Sequence, residues 1–439
     1  MNLRISLLIA LLLPAVGRQA TAQNFTLASS PSVGSIPICV TAADLNGDGK
    51  VDLVSANLDD ASLTVLTNDG NGTFILSATL AVGSYPNSVV AVDVNQDGKL
   101  DLVCANGGDN TLSVLTNNGN GIFGSNATYT VGNGAGPIAA ADVNGDGKMD
   151  LICPNFDDNT LTVLTNNGNG MFAVSSTDAV GRFPDFVVAT DVNGDGKVDL
   201  ISANWGANTL TVLTNNGFGT FGSNATYHVG SFPVSLAAAD INGDGKMDLI
   251  CANSDDDTLT VLTNSGNGVF VLASAISTGV ANVDFGPQSV TAADVNGDGK
   301  ADLIFVDFSD FYTPGILTVL TNDGTGAFTI SSSPDVGAGP DWVVVADVNE
   351  DGMPDLITAN HLDNTLSVLV SVPTLTINAA SGGVNVSWPS FWTNWTLQQN
   401  FNLTTTNWAN SGGIINYGTN KRLTISSPTG NQFFRLWHP

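Results

Sequence analysis

One nine-residue pattern carries most of the chemistry in this chain: Asp-x-Asn-x-Asp-Gly-x-x-Asp, with Leu next. It begins at Asp44, Asp93, Asp142, Asp191, Asp240, Asp294 and Asp347. Positions 1, 3, 5 and 9 offer side-chain oxygens, and position 7 can offer its backbone carbonyl. That is a donor set for a hard cation. Ca²⁺ takes six to eight oxygens in a flexible cage, whereas Mg²⁺ prefers fewer protein ligands and more water. In the first loop the ligands would be Asp44, Asn46, Asp48, the Lys50 carbonyl and Asp52. The second offers Asp93, Asn95, Asp97, Lys99 and Asp101, and the third Asp142, Asn144, Asp146, Lys148 and Asp150. The fourth offers Asp191, Asn193, Asp195, Lys197 and Asp199, and the fifth Asp240, Asn242, Asp244, Lys246 and Asp248. The sixth has Asp294, Asn296, Asp298, Lys300 and Asp302; the seventh has Asp347, Asn349, Asp351, Met353 and Asp355.

Position 6 is Gly in every copy, whereas position 4 is Gln96 and Glu350 in two of them. That contrast fits a positive φ at position 6. The bland alternative is an Asx-rich hairpin turn without metal. Three carboxylates in nine residues would then repel one another with nothing gained, so Ca²⁺ at about seven sites is the expectation. No Glu stands at position 12 and strands flank the loop, so this is not a helix-framed calcium loop.

Other chemistry is sparse. His228, His361 and His438 are isolated, and no Gly-x-Ser-x-Gly motif appears. No catalytic residue is assigned. Cys104, Cys153 and Cys251 occupy one slot of the repeat that Ser55, Ser202, Phe305 and Thr358 fill elsewhere. A slot shared with Ser and Thr reads as a small buried residue, so these and Cys39 are expected to be free thiols. A disulfide is the alternative in an oxidising compartment.

The loops recur at spacings of 49 residues four times, then 54 and 53. In the second copy an apolar run, 88–94, enters the loop and 100–105 leaves it. A third strand is expected at 111–116, a Gly/Asn turn at 117–121 and a fourth strand at 122–131. Four short antiparallel strands per repeat, seven times over, predict a β-propeller. The seventh copy has no fourth strand, while residues 25–34 resemble one, so the N-terminal strand should close the ring and remove an exposed edge. Composition agrees. Only Glu350 among 40 acidic residues is Glu, and there are 48 Gly, which leaves little raw material for helix surfaces. The expected fold is all-β: a seven-bladed β-propeller of four-stranded blades over 23–372, plus a small C-terminal β-sandwich over 373–439. The latter stretch has no acidic residue and holds Trp388, Trp392, Trp395, Trp408 and Trp437. These are expected to pack its core, a glycan platform being the alternative.

Residues 1–22 read as a secretory leader: Arg4, an apolar run over 5–13 and Ala20-Thr21-Ala22 before cleavage near Ala22. The run is too short to span a bilayer. The chain is expected to be secreted or held at the cell surface. Its net charge is −28, and beyond the leader only Arg182, Lys421, Arg422 and Arg435 are basic outside the loops. This argues against nucleic acid and against membrane insertion.

The loop motif over 25–372 resembles the FG-GAP/VCBS repeats of integrin α-subunit heads and of some secreted lectins. The resemblance implies a seven-bladed propeller with Ca²⁺ in the hairpins between first and second strands. Phe123-Gly124 and Phe221-Gly222 keep part of the family's landmarks. The seventh copy departs most, at Glu350, Met353 and Pro354. Residues 373–439 resemble small C-terminal modules of secreted bacterial proteins. The family includes adhesins, lectins and a few enzymes, so fold does not fix function.

The expected role is binding or adhesion by a monomer, with carbohydrate or an extracellular protein as ligand. A Ca²⁺-dependent polysaccharide-degrading enzyme and a purely structural surface module are the alternatives. The two long spacings place insertions on the face opposite the metal loops, around blade 6. They carry Asp284, Phe285, Phe308, Asp310, Phe311 and Tyr312, and Trp342 and His361 of blade 7 should face the same way. Insertions gathered on one face of a repeat protein often form its binding surface. The bland reading is that these aromatics merely pack the two loops together and that His361 is a solvated turn residue.

Overall fold

The computed structural model describes residues 24–278, 286–308, 313–380, 383–390, 392, 394–401, 406–418, 420–426 and 432–438. The expected leader lies outside them, as do Asp284, Phe285, Asp310, Phe311 and Tyr312.

Blade 1 is an antiparallel sheet of Pro37–Ala43, Asp52–Asn57, Ser62–Asn68 and Phe74–Ala81, paired in sequence order. Five further sheets repeat it, with first strands Pro86–Val92, Ala139–Ala141, Pro184–Thr190, Pro233–Ala239 and Pro287–Ala293. Blade 7 combines Pro340–Ala346, Asp355–Asn360 and Thr365–Val372 with the N-terminal strand Asn24–Ser29. Phe25 lies opposite Ser371 and Thr26 opposite Val370, so the chain's start supplies the missing fourth strand. First strands touch their neighbours in cyclic order, and blade 7 touches blade 1. The result is an all-β propeller.

The strands follow from their side chains. The second strand, such as Asp101–Asn106, is buried along its whole length, and its Val, Leu and Cys pack against blades on both sides. The fourth strand is largely exposed beyond its buried first residue, Phe74, because it faces solvent at the rim. There is no single core. Apolar clusters fill the space between each pair of blades, for example Val54, Leu63 and Val65 of blade 1 with Leu102 and Leu115 of blade 2. The seam is filled equally, by Val40, Leu53 and Leu66 against Ile357, Leu366 and Val368.

The C-terminal residues form two small sheets. One contains Thr376–Ala380, Gly383–Pro389, Ile415–Tyr417 and Asn420–Ser426; the other contains Thr396–Asn400, Ala409–Asn410 and Phe433–Trp437. Val386, Trp388, Trp392, Leu397, Phe434 and Leu436 share one apolar cluster between them. Trp388 and Trp392 are therefore core residues.

Candidate metal centre and ligand face

Each Asp/Asn loop joins the first and second strands of its blade, so all seven loops lie on one face. In the first, Asp44 accepts from the N–H groups of Gly47 and Gly49 at 2.8 and 2.9 Å. Asn46 Oδ1 accepts from Asp48 N, and Asp48 Oδ1 from Lys50 N, at 2.8 and 3.0 Å. Asp52 accepts from Leu45 N and Asn68 N. The side chains thus curl the backbone around themselves, and the other loops repeat most of these bonds. Position 6 has φ between 79° and 87° in all seven loops, and at Gly49 an added Cβ would meet nothing within 4 Å. The backbone angle alone demands glycine there. Position 4 is also left-handed, but at φ 60° for Gln96 and Glu350, within reach of a side-chain residue. The expected contrast between the two positions is thus one of degree.

Position 9 is the crowded one. Asp52, Asp101, Asp150, Asp199, Asp248, Asp302 and Asp355 are wholly buried. Burial raises each carboxyl above the usual Asp range, and the carboxylates at positions 5 and 1 push it further, against two backbone N–H bonds that pull it back. Asp302 reaches about 6. A buried carboxylate facing two others lacks a counter-charge, and a divalent cation would supply one. Among the described residues, no group of three acidic, His or Cys side chains already stands close enough to grip an ion. The donor chemistry nevertheless fits Ca²⁺, and the seventh loop adds an orphan: Asp351 Oδ2 is buried without a hydrogen-bond partner.

The lysines at position 7 have a local role. Lys99, Lys148, Lys197, Lys246 and Lys300 reach the position-5 carboxylate of their own loop at 2.8–3.7 Å. Their stems cross the glycine of the adjacent hairpin turn, such as Gly119 and Gly217. Met353 replaces this lysine in the seventh loop and joins the C-terminal apolar cluster instead.

The sequence reading missed one set of residues, the Asn that ends each third strand. Asn117 N–H donates to Asp101 Oδ1 at 2.7 Å, and its side-chain amide donates both to Leu100 O of its own Asp/Asn loop and to Leu45 O in the loop of blade 1. Asn166, Asn215, Asn264 and Asn322 make the same bond to the preceding blade, and Asn68 makes it to Val348 of blade 7. Ser371 stands in this slot in blade 7 and bonds Asp355 instead. The recurrent Thr-Asn at the strand end was the available signal.

On the opposite face, the structure brings two of the expected ligand residues together. The Phe308 and His361 rings lie 5.3 Å apart. His361 is half-buried, not a solvated turn residue, because its Nδ1 bonds Asp341 Oδ2 at 2.5 Å. Trp342 lies elsewhere: its ring meets Phe186 of blade 4 at 5.6 Å. Both flank a cavity of about 450 Å³ lined by first strands of blades 4 to 7. In the other blades that slot holds Cys39, Ser88, Pro137, Ser235 and Ser289, so only blades 4 and 7 place an aromatic ring there. A second aromatic group was not foreseen. Phe156 stacks on Phe183 at 4.8 Å and Trp205 on Phe232 at 4.2 Å, across blades 3 to 5. Arg182 lies 4.4 Å above the Phe183 ring. Phe183 and Phe232 precede prolines yet hold φ of 54° and 55°, a strained pairing that Asn159 and Asn208 sustain by accepting their N–H groups.

All four cysteines are buried free thiols. Burial pushes Cys39 and Cys153 up to about 12, which leaves them unreactive at neutral pH. Among the described residues no helix is long and apolar enough to cross a membrane.

Blades of four antiparallel strands, each with an Asp/Asn loop in its first hairpin, define a repeat-built propeller. The chain belongs to the FG-GAP-like repeat family, whose model matches residues 44–104, 93–153, 191–251 and 240–305, together just over half of the chain. No curated protein sequence matches it. Among solved structures it is similar to BBS1N, crystallised in complex with ARL6DN, at 13% identity and a TM-score of 0.57, covering 79% of this chain and 96% of that one. A protein from Lactobacillus plantarum is 12% identical with a TM-score of 0.51, covering 91% and 98%. A lectin from Agrocybe aegerita that recognises non-reducing terminal N-acetylglucosamine is 22% identical with a TM-score of 0.45, covering 74% and 85%. At these identities the likeness shows the fold alone.

Proposed function

We propose that this is an exported, Ca²⁺-binding propeller that acts as a binding module for carbohydrate or extracellular protein. The buried position-9 carboxylates, each pressed by two others, carry the calcium reading. Export rests on the leader pattern in residues 1–22. Metal and ligand would occupy opposite faces. Calcium would hold the loops, and the face bearing Phe308, His361 and the Phe183–Trp205 group would meet the ligand. Aromatic rings with polar neighbours suit either sugar rings or protein side chains. The test is a screen of glycans and extracellular proteins, with Ca²⁺ and with chelator, against the chain and its Phe308→Ala and His361→Ala variants. Binding that needs calcium for stability and is lost in a folded variant supports the reading. Unchanged binding by both variants places the site elsewhere.

A second reading is favoured by one pair. Asp341 holds His361 by Nδ1, the arrangement that orients an imidazole as a base. Release of shortened or unsaturated sugar products from a polysaccharide panel would favour an enzyme.

A further inference from the structure

The seventh loop differs from the other six in its surroundings. Asp351 is 1% exposed, whereas the side chain of its counterpart Asp97 is 39% exposed. Met353 is 5% exposed and packs among Leu375, Trp388 and Trp392 of the C-terminal sheets. Trp395 stands edge-on to Trp392, and its indole nitrogen approaches the Asp351 carboxylate without a hydrogen bond of good geometry. Asp351 Oδ1 accepts from Met353 N, and Oδ2 is a buried oxygen with no partner. No lysine competes for it, because Met353 has replaced the residue whose ammonium reaches this carboxylate in five other loops. Charge points the same way. The loop carries Asp347, Glu350, Asp351 and Asp355, while residues 373–439 carry three basic residues and no acidic one.

We propose that the seventh loop and the C-terminal sheets form one occluded metal centre, in which a single Ca²⁺ is sealed under Trp395 and Met353. The other six loops hold theirs open to solvent. This rests on the calcium reading above. An ion at Asp351 Oδ2 satisfies an oxygen that otherwise costs free energy to bury. The ion then leaves only when the C-terminal sheets lift, and by linkage it strengthens their docking as much as they strengthen its binding.

The test uses the full chain loaded with Ca²⁺ and mixed rapidly with excess chromophoric chelator, counting ions released in each phase. The expected result is six ions released quickly and one at least about tenfold more slowly, the factor set by about 1.4 kcal/mol of opening free energy. Asp351→Ala should remove the slow ion and leave the six. Met353→Lys, which restores the residue of the other loops and places a charge against the apolar cluster, should keep seven ions and convert the slow one to fast. Asp351→Ala decides the matter even where Met353→Lys does not fold. Release of all ions in one phase, or a slow phase that survives Asp351→Ala, overturns the occluded centre alone. A chain that binds no calcium overturns the calcium reading itself.

Discussion

The side-chain amide of Asn68 in blade 1 donates to the carbonyl of Val348 in the seventh Asp/Asn loop at 2.8 Å, across the seam where the ring closes. The same amide donates to Val51 O, and Asn68 Oδ1 accepts from Gly70 N. One residue thus ties its own Asp/Asn loop to that of the blade before it. Replacing it strands buried carbonyls on both sides. Asn68→Ala should cost about 2 to 3 kcal/mol in chemical denaturation, and it should weaken calcium binding at the first and seventh loops, which it joins. A loss below about 0.5 kcal/mol would show that the link carries no load.

Blade 6 breaks a rule that the other blades keep. Their second strands end in Asn, whose amide donates to hydroxyls of the third strand, as Asn57 does to Ser62 and Thr64. Asp307 takes this place in blade 6, is 2% exposed, and has no hydrogen bond of good geometry on either carboxyl oxygen. Burial is the main cause that raises it to about 7, with Asp257 adding to it and Thr278 pulling back. The folded chain therefore holds this proton where the unfolded chain, near pH 4, has lost it. Stability from this group is present at low pH and lost as pH rises toward 7. Asp307→Asn should raise stability by about 1 to 3 kcal/mol at pH 8 and change little near pH 5. Denaturation of both chains at the two pH values checks it; equal effects at both would contradict the assignment.

Removing residues 24–34 should expose the unpaired edge of Thr365–Val372, which Asn24–Ser29 now covers. The edge is apolar, and its Val368 and Val370 belong to the seam cluster. Aggregation on size-exclusion chromatography is the expected outcome. A monomer of unchanged stability would mean that the ring closes without this strand.

Much of this was legible because repeats expose constraint within one chain. The loop phase, the missing fourth strand and its N-terminal substitute, and the small buried Cys slot all follow from comparing copies. What stayed hidden is encoded by single residues acting between units. Asn117 looks like an ordinary turn residue until its amide is seen to reach Leu45 of the preceding blade. Trp342 looked like a face residue, but a register slot shared with Phe186 brings the two rings together beside the cavity. The oddity of the seventh loop was visible in Met353; its cause, a cluster with Trp388 and Trp392, depends on a contact with a separate set of sheets. The aromatic group from Phe156 to Phe232 could have been noticed, since Tyr85, Phe183 and Phe232 all precede the proline that opens a blade.

The central claim is that calcium supplies the counter-charge for the seven crowded loops. Formal charge is −28, or −30 once the leader's Arg4 and Arg18 are removed, and seven Ca²⁺ would bring it to −16. An ion that binds only the folded chain stabilises it by mass action, about 2.7 kcal/mol per site at a hundredfold excess over Kd. The direct measurement is thermal unfolding of the purified chain at pH 7.5, with calcium and with excess chelator, alongside elemental analysis of bound metal. The account predicts about seven calcium ions per chain and a large fall in Tm on chelation. Superimposable melting curves with no bound calcium would contradict it.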